Sequence, residues 1–101
     1  MRLMIMFDLP METSTDKRNY RHFRKALIKE GFLMMQFSVY VRVCPSQRAA
    51  KSLEKRISAL APAKGLVQTL MLTEKQYAAM HFLSGQPSED VLNSAERTIV
   101  I

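Results

Sequence analysis

Two groups of side chains in this sequence have types and spacings suited to chemistry on a polyanion. The first is a single acid. Asp8 ends the apolar run Leu3-Met4-Ile5-Met6-Phe7 and is followed by Leu9-Pro10, which places a carboxylate at the C-terminal end of a strand. There it can reach a crevice and ligate Mg2+ through oxygen. Mg2+ retains several waters, so few protein ligands are needed. One Asp is still an incomplete site, and a two-fold dimer would supply a second Asp8 across its axis. A turn aspartate serving only nearby backbone accounts for the same residue equally simply. The second group is basic. Lys17, Arg18, Arg21, Arg24, Lys25 and Lys29, wound at about 100° per residue, share a sector of about 140° interrupted only by Ile28. Phosphate contacts from such a face hold nucleic acid in register without reading its sequence. Lys17 and Arg18 sit where the helix macrodipole disfavours cations, a cost that an anionic ligand would offset. A merely solvated charged face is the plainer account.

Other reactive residues are isolated. Ser38 interrupts an apolar stretch, either to hydrogen-bond locally or to set a hydroxyl beside Asp8. His22 and His81 have no partner at metal-ligand spacing and read as surface or strand histidines. Cys44 is the single cysteine, so an internal disulfide or thiolate-rich zinc site is excluded, and its place after Val39–Val43 reads as a reduced, half-buried structural thiol. With no nucleotide-binding glycine loop, Ser-His-Asp set or CxxC, any catalysis is expected to be metal-assisted.

The elements that must position these residues follow from pattern. The run Leu3–Phe7 reads as a central strand buried on both faces. Thr13 to Asp16 supplies N-cap chemistry for a long helix reaching about Glu30 and closed by Gly31. Tyr20, Phe23, Ala26 and Leu27 form its packing face. Phe32 to Val43 is either one long kinked strand or two short strands with a tight turn near Gln36. Pro45-Ser46 opens a second helix with Ala50, Leu53, Ile57 and Leu60 at helical spacing, ended by Pro62 and Gly65. Leu66 to Leu72 is another strand, and Thr73 to Gln76 a capping box for a short turn of helix. Met80 to Leu83 reads as a further strand, residues 86–96 as a polar linker, and Arg97 to Ile101 as a last strand.

This order predicts an α+β, ferredoxin-like βαββαβ domain over residues 1–85, with residues 86–101 a linker and C-terminal strand that adds to a partner protomer's sheet. A free apolar edge is an aggregation hazard, so strand exchange in a homodimer is the expected solution. The 101 residues allow one small core. A net charge of +6, with 48% hydrophobic and 24% charged residues, suits a folded domain with a polyanionic partner. No run approaches membrane-spanning length, and the apolar stretch before Asp8 is too short for a secretory signal, so a cytoplasmic protein without a membrane role is expected.

Several blocks in order, Met4-Ile5-Met6-Phe7-Asp8-Leu9-Pro10, Tyr20-Arg21-His22-Phe23-Arg24-Lys25, Gly31 to Tyr40 with Gln36-Phe37-Ser38-Val39-Tyr40, Lys64-Gly65, and Thr73-Glu74-Lys75-Gln76-Tyr77, resemble the CRISPR-associated Cas-two family, most closely members from type II systems. The resemblance runs from residue 2 to about Gly85 and returns near Glu96-Arg97. It implies a ferredoxin-like homodimer that takes part in spacer acquisition, bound with DNA as a bridge between two Cas-one integrase dimers. It also implies a Mg2+-dependent endonuclease acting on RNA or DNA. The family's metal aspartate falls on Asp8, its basic first-helix residues on Lys17 to Lys25, and its strand serine on Ser38 as an accessory candidate. A toxin-type RNA interferase of the same fold is the alternative.

Overall fold

In the computed structural model, residues 1–87 are described; the linker and last strand expected beyond them lie almost wholly outside the described residues. The elements are β1 (Arg2–Asp8), α1 (Ser14–Lys29), β2 (Leu33–Gln36), β3 (Val39–Val43), α2 (Gln47–Leu60), β4 (Leu66–Leu72) and α3 (Glu74–Ala78). The four strands form one antiparallel sheet in the order β2-β3-β1-β4. That is the split βαβ arrangement of a ferredoxin-like domain, as the element order predicts.

Local chemistry sets the helix ends. The Thr13 hydroxyl accepts from the Asp16 amide while the Asp16 carboxylate accepts from the Thr13 amide, a reciprocal cap that satisfies two orphan donors. Those bonds, the Asp16 carboxylate's acceptance from Thr13 foremost, hold its carboxyl below the usual range. Thr73 and Gln76 cap α3 in the same reciprocal manner, whereas Ser46 caps α2 through its hydroxyl alone, which accepts from the Ala49 amide.

The ambiguous stretch 32–43 is a hairpin. Gln36 pairs with Val39 across a two-residue turn, Phe37-Ser38, with a register irregularity between Met34 and Gln36. Ser38 takes a positive φ of 64°, the kind of conformation that tight hairpin turns demand. The strand expected over Met80–Leu83 does not form. This segment has no strand pairing, and Phe82 and Leu83 are 60% and 98% exposed. An apolar run becomes a strand only where an edge accepts its backbone, and these residues find none among the described ones.

Strand alternation splits the sheet into two unlike faces. Leu3, Ile5 and Phe7 of β1 lie under the helices and join Phe23, Leu27, Leu53 and Ile57 in the core. Phe7 is its centre near the end of β1, with ring centroids 5.2 Å from Phe23, 5.8 Å from Tyr40 and 5.9 Å from Tyr20. Arg2, Met4, Met6 and Asp8 alternate onto the opposite face, beside Val39, Val41 and Val43 of β3 and Leu66, Leu70 and Leu72 of β4.

Candidate active site and nucleic-acid interface

Asp8 is the last residue of β1 and pairs with Leu66, the first of β4. Its position is fixed from both sides along the chain. Phe7 anchors the preceding residue in the aromatic cluster, and Leu9, the following one, is buried. A third constraint comes from Gly65, which has φ +93° and packs so closely that a Cβ there would meet the Asp8 carbonyl oxygen at 2.6 Å and the Leu9 side chain at 2.9 Å. Only glycine combines that conformation with that approach. The Asp8 side chain itself is exposed and makes no hydrogen bond or ion pair with any described residue. A carboxylate held by a rigid backbone yet left unsatisfied is available to a cation or a substrate.

The donor set bears on Mg2+ directly. Among the described residues no three His, Cys, Asp or Glu side chains cluster as a metal site. Asp8 offers a hard oxygen ligand of the kind that suits Mg2+, since this ion binds through one or two carboxylates and water.

Asp8 also lies on the apolar face of the sheet turned away from α1 and α2, where Met4 and Val41 are buried but the Asp8 end is open. At the far end of this face Arg2 is buried beneath α3: it makes a bidentate salt bridge to Glu74 at 3.0 Å, and its guanidinium sits 4.0 Å from the centre of the Tyr77 ring. The Arg2 hydrogen bonds hold the Glu74 carboxyl below its ordinary range, and burial pushes the Tyr77 hydroxyl up. From Tyr77 the chain continues as far as Pro87 along a groove shared with Met35 and Gln36. On the β4 side nothing comparable covers the face among the described residues, and Leu66 and Leu70 are 56% and 50% exposed.

The basic residues lie elsewhere. Lys17, Arg18, Arg21, Arg24, Lys25 and Lys29 are all exposed on α1, on the helix layer and so across the sheet from Asp8. Arg24 is partly committed, its Nε donating to the Tyr40 hydroxyl at 2.8 Å. Sequence reasoning missed the other half of this layer. α2 carries exposed Arg48, Lys51 and Lys55 without ion-pair partners among the described residues, beside Arg56, which bridges to Glu30. Ten of the chain's fifteen Lys and Arg therefore stand on the two helices. The signal was present, because those cations occupy the positions left over by the Ala50-Leu53-Ile57 stripe.

Ser38 is neither in a strand nor shown to aim its hydroxyl at Asp8. It is its backbone carbonyl that reaches β1, accepting from the Phe7 amide at 3.0 Å. His22 and His81 are exposed, and Cys44 is a free thiol that is buried rather than half-buried, with its amide bonded to the Met1 carbonyl. None of the three helices is long and apolar enough to cross a membrane.

Comparison with known proteins places the chain in a family. Residues 1–80 match the family model described as CRISPR associated protein Cas2. The chain belongs to the Cas2 family. It is 60% identical, over the full length of both chains, to proteins of Lacticaseibacillus rhamnosus and Ligilactobacillus salivarius, each named CRISPR-associated endoribonuclease Cas2. A Treponema denticola protein of the same name is 43% identical over 101 residues, covering all of both chains. The Cas2 family is part of CRISPR systems, as the sequence blocks implied, and the ferredoxin-like architecture is the one that resemblance anticipates.

Proposed function

We propose that this chain is a homodimeric CRISPR-adaptation subunit with two functional surfaces on opposite sides of its sheet: a Mg2+-dependent endonuclease site at Asp8 and a basic helix layer that holds DNA. The observation that carries the reading is the placement of Asp8 at the end of a partly covered apolar sheet face whose β4 edge exposes Leu66 and Leu70. Covering Leu66 and Leu70 with the same face of a second copy removes the exposed apolar surface that a soluble chain disfavours. With the two-fold axis near the end of β1, the same packing sets two Asp8 carboxylates on one crevice. The names of the relatives, which are endoribonucleases, support phosphodiester cleavage and favour RNA as the substrate at this site.

Bound Mg2+ supplies the chemistry that carboxylates cannot, an activated water and neutralisation of phosphoryl charge. The protein's part is to hold the Asp8 pair rigid through Phe7, Leu9 and Gly65. No other described side chain is placed as an obvious general base.

The helix layer supports the second role. Its unpaired cations suit duplex DNA bridged between Cas-one integrase dimers during spacer acquisition, and their separation from Asp8 lets binding proceed without cleavage. The test is spacer integration in vitro with the neighbouring integrase, alongside RNA cleavage with Mg2+ and with EDTA. Asp8→Asn should integrate normally and fail to cut, whereas Lys17→Glu/Arg21→Glu/Lys25→Glu should fail to integrate. Equal cutting by Asp8→Asn and wild type would assign the cleavage to a contaminant.

A further inference from the structure

Phe37 is a large apolar side chain at the tip of the β2–β3 turn, and it is 86% exposed. It makes no aromatic contact among the described residues. The turn that carries it is tight and pinned. Only two residues separate the paired Gln36 and Val39, Ser38 adopts φ 64°, and the Ser38 carbonyl is bonded to the Phe7 amide at 3.0 Å. Phe37 directly precedes one partner of that bond and Asp8 directly follows the other. The backbone that carries an exposed aromatic ring is therefore pinned one residue from the hydrogen bond that the Asp8 backbone also adjoins, at the end of β1.

We propose that Phe37 is a stacking platform for an unpaired base, positioning single-stranded nucleic acid at Asp8. An aromatic face accepts any base, because every base has a π-face, so the contact supplies affinity without sequence preference. It needs a base free of its neighbours, as in single-stranded segments, loops and ends, and it does not serve intact duplex. This assigns different nucleic-acid forms to the two surfaces: unpaired strand at the turn, and duplex on the helices. The inference rests on the reading of Asp8 as the cleavage site.

The chain contains no tryptophan, so Phe37→Trp introduces a single indole at the turn, which can be excited apart from the tyrosines. In the full-length Asp8→Asn background, titration with a short single-stranded RNA should quench that fluorescence along the same curve that anisotropy of the labelled RNA follows, and a duplex of equal length should not. With Asp8 intact, Phe37→Ala should weaken binding of the single strand by about 5-fold to 100-fold, Phe37→Tyr should restore it, and duplex binding should be unchanged. Absent quenching, with Phe37→Ala cutting as well as wild type while Asp8→Asn is inactive, overturns the stacking role and leaves the Asp8 site standing. Quenching in a protein whose Asp8→Asn variant still cuts supports the platform and removes the cleavage site from Asp8. A dimer that becomes a monomer on Phe37→Ala, read by light scattering, gives Phe37 to the subunit contact and overturns the proposal.

Discussion

The backbone carbonyl of Asp8 occupies the space that a side chain on Gly65 would need, with only 2.6 Å between that oxygen and the nearest Cβ position. The β4 start and the β1 end are thereby locked together at the carboxylate that the proposed chemistry uses. Gly65→Ala adds both a clash with backbone and a strained φ, and should destabilise the fold by roughly 1–3 kcal/mol. Because a shift of about 1 Å at a catalytic group can cost on the order of 100-fold in rate, cleavage should fall much further than the folded fraction does. Denaturant titration and cleavage rates on the same preparation check this.

The partly covered sheet face predicts assembly. Leu66→Glu/Leu70→Glu places charge on the two most exposed leucines of β4 on this face, Leu66 opposite Asp8 and Leu70 opposite Met4, where neither is core in the single chain. The expected product is a folded monomer by circular dichroism and light scattering, with cleavage lowered to the level of Asp8→Asn. A folded monomer that cleaves at the wild-type rate would show that one Asp8 suffices.

The helix layer predicts a salt dependence. Binding that releases counterions from duplex DNA has a slope of log K against log salt of about −0.9 per phosphate neutralised. Reversal of Lys17, Arg21 and Lys25 should flatten that slope by about two to three. Reversal of Arg48, Lys51 and Lys55 on α2 should flatten it in the same direction. Both sets are exposed and carry no ion pair among the described residues, so thermal stability should change little.

The buried Arg2 predicts an acid limit on stability. Its hydrogen bonds depress the Glu74 carboxyl below an ordinary value of 4.5, so this pair contributes stability above that pH and loses it as pH falls through the lower folded value. Asp16 and Glu30 are shifted in the same direction, by the Thr13 cap and by Arg56. Glu74→Gln should lower stability at neutral pH and flatten its decline below about pH 4.5. Unfolding midpoints measured from pH 3 to 7 test the sign.

Much of this was legible in the residues before any coordinates. Thr13, Ser46 and Thr73 announce helix starts because a side-chain oxygen three residues before an amide is a local device, and Gly31 and Gly65 announce special backbone for an equally local reason. The hairpin was ambiguous because Phe37-Ser38 lacks the Asn-Gly or Asp-Gly chemistry that usually marks a two-residue turn; Ser38 accepts positive φ without advertising it. Met80–Leu83 was misread because an apolar run encodes burial, not the presence of a free strand edge. Ser38 was placed in a strand for the same reason and proved to act through its carbonyl. Asp8 stood out by type and position, but its cross-strand neighbour Leu66 comes from a long-range register that no local pattern states. The α2 cations were overlooked because the apolar stripe of that helix was read and its complement was not.

The two-surface account is tested most directly by one variant read two ways. Asp8→Asn and wild type are compared for Mg2+-dependent RNA cleavage and, on the same samples, for the salt dependence of duplex DNA binding. The account predicts loss of cleavage with an unchanged binding slope, because the carboxylate and the helix layer lie on opposite sides of the sheet. Cleavage that survives the substitution, or duplex binding that falls with it, would contradict that separation.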